Sequence, residues 1–318
     1  LGTLNMKGFG RTHADGTTDK WLCLNQLIRD RRLTCLALQE AHLTDDRLVP
    51  LRDLFSRQLH IFSSALPGNP TAAGGVGFAV SRRNLAEREP TVRVVLPGRA
   101  LLLMLPWSAS KQLRILNVYA PNVAADNAAF WLSLLRYFRD SNLPSPDVLM
   151  GDFNMVEDAL DRLPARSDPP ASTSALAELL ACWRMTDSWR AAHPGLCDYT
   201  YLQQATGSQS RLDRIYVKRA TQPLVADWAT LPPGLSTDHF LVQLSLANYH
   251  APAVGRGRWT FPLALLDDTP FITTMRKLGL ALQRDLDALA TRSADCNPQT
   301  LFASFKSSLI AAARQRAK

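Results

Sequence analysis

Apolar and polar positions along most of this chain switch between a strand period and a helix period. Apolar runs of strand length occur at residues 1–5, 33–39, 74–80, 91–96, 100–107, 113–119 and 147–150, and those at 33–39 and 147–150 read as buried strands. Between them Trp21, Leu24, Leu27 and Ile28 recur at helical spacing, with Thr18 or Asp19 as N-cap. Residues 126–138 and 172–182 are amphipathic in the same way. The runs at 91–96, 100–107 and 113–119 follow one another with no room for a crossover helix. That part of the sheet is therefore expected to be antiparallel. The mixture predicts an α/β fold of two packed sheets with helices outside. Periodicity stops at residues 247–257, which hold Pro252, Gly255 and Gly257. Beyond residue 261 it is helical, through Leu278, Leu282, Leu286 and Leu289 and then Leu301, Phe305 and Leu309. The expected division is a main domain over 1–247 and a helical extension or connector over 248–318.

Composition narrows this picture. With 318 residues and 46% apolar content, the chain can bury one large α/β core and carry an appendage. No apolar run approaches the length of a membrane span, so no membrane partner is expected. The chain begins at Leu1, directly in a strand-like segment, as a domain cut from something longer would. Five widely spaced cysteines fit neither a disulfide framework nor a zinc cluster and point to a reducing, intracellular setting. The net charge is +8. Residues 248–318 hold 10 Lys/Arg against 5 Asp/Glu, or +5, and residues 1–247 hold 26 against 23, or +3. A basic excess permits a polyanionic partner.

Candidate chemistry collects where the strand-like runs end. Gly151-Asp152-Phe153-Asn154 closes one run, and side chains two apart on a strand share a face, so one carboxylate and one carboxamide can meet the same group. Asp152 is a candidate to orient and deprotonate a water, and Asn154 to steady it. Glu40 ends another run, and hard cations such as Mg²⁺ take carboxylate oxygens. Asn5, also at a strand end, is a second candidate for that ion or its water. Tyr119, in Asn117-Val118-Tyr119-Ala120-Pro121-Asn122, offers a phenol to a phosphoryl oxygen. His239 follows Asp238, and Asp213 lies in Ser210-Arg211-Leu212-Asp213. A carboxylate beside imidazole favours its protonated form. Neighbouring strand side chains point apart, so Asp213 is the better partner for His239, which leaves Asp238 for the metal. Taken singly, each of these residues reads as a turn or a solvated strand end. Arg211, Arg214, Lys218 and Arg219 surround the Asp213 run; such rows are usually solvated faces, with phosphate contact as the alternative.

In this order the segments resemble the endonuclease/exonuclease/phosphatase (DNase I-like) superfamily, over roughly residues 1–247. Within it they are most similar to the apurinic-type endonuclease domain of non-LTR (LINE-like) retrotransposons. The likeness is carried by Gln39-Glu40-Ala41-His42-Leu43, Asn117 to Asn122, Gly151 to Asn154, Asp187-Ser188-Trp189-Arg190, Tyr199-Thr200-Tyr201, Ser210 to Val217 and Ser236-Thr237-Asp238-His239. The resemblance implies a four-layered α/β sandwich with its site at one rim. It implies Asn5, Glu40 and Asp238 at a Mg²⁺ or Mn²⁺ ion, Asp152 and Asn154 at the water, and Tyr119 and His239 at the phosphate. Asp213 would orient His239, and Thr200 and Arg211 would meet DNA. The implied activity is nicking of DNA for a retroelement, in a nuclear parent protein that also carries a reverse transcriptase. Relatives with the same chemistry but other substrates, such as an inositol-phosphate phosphatase, a sphingomyelinase or a deadenylase, are the alternative. A decayed remnant that only binds is another.

Overall fold

The computed structural model describes residues 1–13, 18–71, 73–85, 88–108, 111–248 and 261–317, so residues 249–257 of the expected break lie outside it. Its elements begin with β1 (Gly2–Asn5), α1 (Asp19–Asp30), β2 (Cys35–Gln39), α2 (Asp45–Leu54), β3 (Leu59–Ser64) and β4 (Val76–Ser81). Next come β5 (Thr91–Leu96), β6 (Ala100–Pro106), β7 (Gln112–Tyr119), α3 (Ala124–Asp140), β8 (Val148–Asp152), β9 (Arg162–Leu163) and α4 (Pro170–Trp183). Then follow β10 (Met185–Asp187), α5 (Ser188–Ala192), β11 (Tyr201–Gln203), β12 (Ser208–Ser210), β13 (Asp213–Lys218), β14 (Val225–Leu231) and β15 (Leu241–Leu246). Two further helices, α6 (Thr269–Asp287) and α7 (Pro298–Arg316), complete the chain.

One six-stranded sheet has the order β14-β15-β1-β2-β4-β3 and the other β10-β13-β8-β7-β6-β5. A small third sheet joins β11, β12 and β9. Pairing is antiparallel apart from β1 with β2 and β7 with β8. The successive runs β5, β6 and β7 are antiparallel, as their close spacing predicts. Ala37, Phe78 and Val80 of the first sheet pack against Leu103, Ile115, Val148 and Ile215 of the second. On the outer face of the first sheet, Leu36 and Leu38 meet Trp21, Leu24 and Ile28 of α1 and Leu48 and Leu51 of α2. On the outer face of the second, Leu102, Leu116 and Leu149 meet Phe130, Trp131 and Leu134 of α3 and Leu176 and Leu179 of α4. The result is a four-layered α/β sandwich. Its central strands are buried on both faces, which is why β2, β7 and β8 read as near-continuous apolar runs.

Local signals set the element ends. Thr18 caps α1, its hydroxyl accepting the Trp21 N–H. The helix α2 gave no periodic signal because Pro50 and a high share of polar residues interrupt its apolar face. Gly151 is obligatory. Its φ is 144°, and a Cβ there would lie 1.9 Å from the Val118 carbonyl oxygen. A larger residue would push β8 off β7 one position before Asp152.

The chain divides into two compact units, Leu1–Ala251 and Pro252–Lys318. In the second, Asp268 caps α6 through the Phe271 N–H, and the Arg316 guanidinium forks onto the same carboxylate at 3.0 and 2.9 Å. One ion pair thus ties the end of α7 to the start of α6 around Leu265, Phe271 and Ala313. No helix is long and apolar enough to cross a membrane, among the described residues.

Candidate active site

Strand register assembles the site. Asn5 pairs with Gln39, so Glu40 emerges beside it at the end of the first sheet. In the second sheet Asp152 pairs with Tyr119 on one side and Asp213 on the other. A buried clasp joins the sheets beneath. Gln39 Nε2 donates to Thr3 Oγ1 at 3.0 Å and to Asn117 Oδ1 at 2.6 Å, while Asn117 Nδ2 donates to the Leu38 and Gly77 carbonyls. Sequence reasoning had no signal for this clasp, because its members lie up to 114 residues apart (117 minus 3).

Asn5 is the pivot between the sheets. Its Nδ2 donates to Glu40 Oε1 at 3.0 Å and to Asp152 Oδ2 at 2.9 Å. Tyr119 donates its phenol to Glu40 Oε1 at 2.9 Å. Burial first, and then the Glu40 and Asp152 carboxylates, push that phenol well above its ordinary pKa, so it stays a donor. The Arg99 guanidinium lies 4.8 Å from the centre of the Tyr119 ring. Asp152 accepts the Asn154 N–H on its other oxygen at 2.9 Å. Its pKa is raised to about 6, by burial first and by the Asp213 charge second. Asn154 donates its Nδ2 to the Ala120 carbonyl at 2.8 Å.

Asp213 and His239 form the other half. Asp213 Oδ2 lies 2.8 Å from His239 Nδ1. Burial disfavours charge on the imidazole, but the Asp213 carboxylate and its hydrogen bond outweigh it and raise the pKa to about 9. Thr200 donates to the same Asp213 oxygen at 2.8 Å and accepts the N–H groups of Leu212 and Asp213. The Tyr201 ring packs on His239 with centroids 4.8 Å apart. Ligand atoms of Asp152, Asp213 and His239 all lie within 4.8 Å of one another.

Two expectations meet a different placement. Thr200 is only 1% exposed, its hydroxyl fully engaged behind Asp213. Arg211 is 5% exposed and grips Asp161 at 2.8 and 3.0 Å and Asp187 at 2.8 Å. Thr200 holds Asp213 and Arg211 holds Asp161 and Asp187, so contact of either side chain with DNA would require it to leave these partners. Asp238 stands at the rim with its Oδ2 2.7 Å from Lys7 Nζ. Arg99 was not singled out from the sequence. Nothing local distinguishes it from the chain's other arginines.

Left-handed backbone marks the rim. Lys7, Glu40, His42 and Asn154 have φ between 47° and 50°. Such conformations are uncommon outside glycine and cluster where side chains must be aimed.

Residues 2–239 match the Endonuclease/Exonuclease/phosphatase family. The transposon TX1 uncharacterized 149 kDa protein of Xenopus laevis is 33% identical over 201 residues, 62% of this chain and 15% of that protein. The chain thus spans a small part of that relative. Among solved structures, the AP endonuclease LMAP of Leishmania major matches with a TM-score of 0.63 at 17% identity, over 77% of this chain and 86% of the other. The endonuclease domain of TRAS1, a telomere-specific non-LTR retrotransposon, matches with a TM-score of 0.55 at 13% identity, over 78% and 97%. These structural likenesses concern the fold. With three quarters of its length matched and the rim residues assembled by strand register, the chain belongs to the Endonuclease/Exonuclease/phosphatase family.

Proposed function

We propose that this chain is a divalent-metal-dependent phosphodiesterase that nicks DNA, the endonuclease part of a retroelement protein. The observation that carries this reading is the meeting of Asn5, Glu40, Tyr119, Asp152, Asn154, Asp213 and His239 at one rim. The transposon relative and the TRAS1 domain favour DNA over other phosphate esters. The same reading implies a reverse transcriptase elsewhere in the parent protein and work on chromosomal DNA in the nucleus.

The donor set fits a hard cation such as Mg²⁺ or Mn²⁺ at Glu40. Asn5 and Tyr119 both donate to one Glu40 oxygen, Oε1, and so present the carboxylate in a fixed orientation. The buried trio of Asp152, Asp213 and His239 is spaced like a ligand set, but its histidine is already engaged with Asp213 through Nδ1 at 2.8 Å. That trio suits proton handling, and the ion belongs at Glu40. When bound, the cation polarises a phosphoryl oxygen and offsets the charge that builds there.

The chain's own residues do the rest. Asp152, with a pKa near 6, is ionised at neutral pH and takes the proton of the attacking water. Asn5 and the Asn154 N–H hold its two oxygens in place. His239 keeps Nδ1 on Asp213, which leaves Nε2 to donate to a phosphoryl oxygen. Tyr119 stays protonated and steadies Glu40.

The test uses two substrates and one protein. Supercoiled plasmid should be converted to nicked circles in Mg²⁺ and left intact in EDTA. Inositol phosphates should release no inorganic phosphate under the same conditions. Phosphate release without nicking would assign the site to a different ester, and binding of DNA with no cleavage in any divalent metal would leave only a binding module.

A further inference from the structure

We propose that Lys20 is a positioning residue whose ammonium gathers the loop after β1 and thereby fixes the Asn5 carboxamide between Glu40 and Asp152. The inference rests on the proposed function and adds a residue that acts through the backbone. Lys20 lies in the first turn of α1. Its ammonium donates to the carbonyls of Met6, Lys7 and Gly8 at 2.6, 3.1 and 3.2 Å. Three hydrogens thus meet three successive carbonyls. Thr18, the N-cap of α1, donates its hydroxyl to the next carbonyl, that of Phe9, at 3.2 Å. Four carbonyls in a row are held by the start of one helix.

The loop is shaped for this grip. Lys7 and Gly8 are both left-handed, with φ of 50° and 88°, and the chain curls around the ammonium. Such a conformation persists at a lysine only where the surroundings hold it, and Lys20 supplies part of that hold. Gly10 leaves room for the lysine stem. A Cβ there would lie 3.2 Å from Lys20 Cδ and 3.3 Å from Cγ.

The N–H side of the same loop faces the site. The Met6 and Gly8 N–H groups donate to the carbonyls of Gln39 and Glu40, each at 2.9 Å. The Lys7 N–H donates to Asn5 Oδ1 at 2.9 Å. That bond takes the amide oxygen and turns Nδ2 toward Glu40 Oε1 and Asp152 Oδ2. Asn5 is 0% exposed, so its carboxamide has no water to turn to. A flipped carboxamide would set its oxygen against two carboxylates and its NH₂ against an N–H. Lys20 sets the loop, the loop sets the carboxamide, and the carboxamide holds both carboxylates. Misplacing groups of this kind by about 1 Å costs roughly 10²-fold in rate.

Backbone hydrogen exchange, followed by NMR on the intact chain, reads this link without cleavage. Lys20→Met keeps the stem and loses the donors. Its Lys7 and Gly8 amides should exchange at least about tenfold faster than in the wild type, and the Leu36 and Ala37 amides of β2 at an unchanged rate. In plasmid nicking the variant should lose about 10–100-fold in kcat, with KM within about threefold. In an Asn5→Ala background the same substitution should cost less than about threefold, because the carboxamide it positions is gone. Should Lys20→Met fail to fold, Lys20→Gln takes its place under the same criteria. Unchanged exchange at Lys7 and Gly8, a loss carried by KM, or the full kcat loss repeated in the Asn5→Ala background would each overturn the inference and leave the proposed function standing. A wild type that nicks no DNA in any divalent metal would overturn the proposed function, and the exchange measurement would still decide whether Lys20 holds the loop.

Discussion

The two sheets bring different material to the same rim. The first sheet ends in groups that face outward: Glu40 is partly exposed, and Lys7 and Asp238 form an ion pair at the mouth. The second sheet ends in groups that are already dry: Asp152 and Asp213 are each 1% exposed, and His239, packed against them, 6%. Water screens charge on the first side, so that side can exchange ions cheaply. On the second side low dielectric makes each charge depend on its neighbours, so pKa values move by units and proton transfer can be tuned. Asn5 donates to Glu40 on one side and Asp152 on the other, and so couples the two. The contrast supports the proposed division of labour, with cation binding at the partly exposed Glu40 and proton handling in the buried group of Asp152, Asp213 and His239, the last of which enters from the first sheet just before β15.

The largest expected effect breaks the first half. Glu40→Gln keeps the shape of the side chain but removes the carboxylate proposed to hold the ion. Nicking should fall by about 10³-fold or more, with the circular dichroism spectrum unchanged. Activity close to wild type would move the ion elsewhere. The next effect probes the second half. Asp213→Ala and His239→Ala should each cost roughly 10²–10⁴-fold in turnover. The double variant should cost little more than either alone, because the aspartate acts through the histidine. Multiplying losses would show two independent roles. A smaller effect separates support from contact. Thr200→Val removes a hydroxyl that satisfies two backbone N–H groups and one Asp213 oxygen, all buried. Global stability should drop by about 2–4 kcal/mol, read from a urea midpoint. Unchanged stability with weakened DNA binding would instead make Thr200 a DNA contact.

Part of this contrast was legible in the sequence. The outward ends of β1, β2, β7 and β8 could be read because buried strands give unbroken apolar runs and their last residues stand out as polar. Pairing Asp213 with His239 followed from strand alternation, which turns adjacent Asp238 away, and the 2.8 Å contact agrees. Burial of Thr200 and Arg211 was not legible. Arg211 is covered only because Asp161, 50 residues earlier, and Asp187 come to meet it, and a sequence shows a charged run as a solvated face. The helix α2, the strand β3 and the small sheet of β9, β11 and β12 were also missed. Short strands and a proline-interrupted helix carry too few periodic positions to rise above turn-like composition.

The pH dependence of kcat/KM for plasmid nicking at fixed Mg²⁺ tests the proton-handling half most directly. On the proposed mechanism Asp152 must have lost its proton and His239 must have kept its own. With pKa values near 6 and near 9, the rate should rise through about pH 6, hold a plateau, and fall through about pH 9. In Asp213→Asn the upper limb should move down toward about 6.5, the value of unperturbed imidazole. A rate that climbs without a break past pH 9, or an upper limb that Asp213→Asn leaves in place, would contradict the assignment of Asp152 as base and His239 as donor.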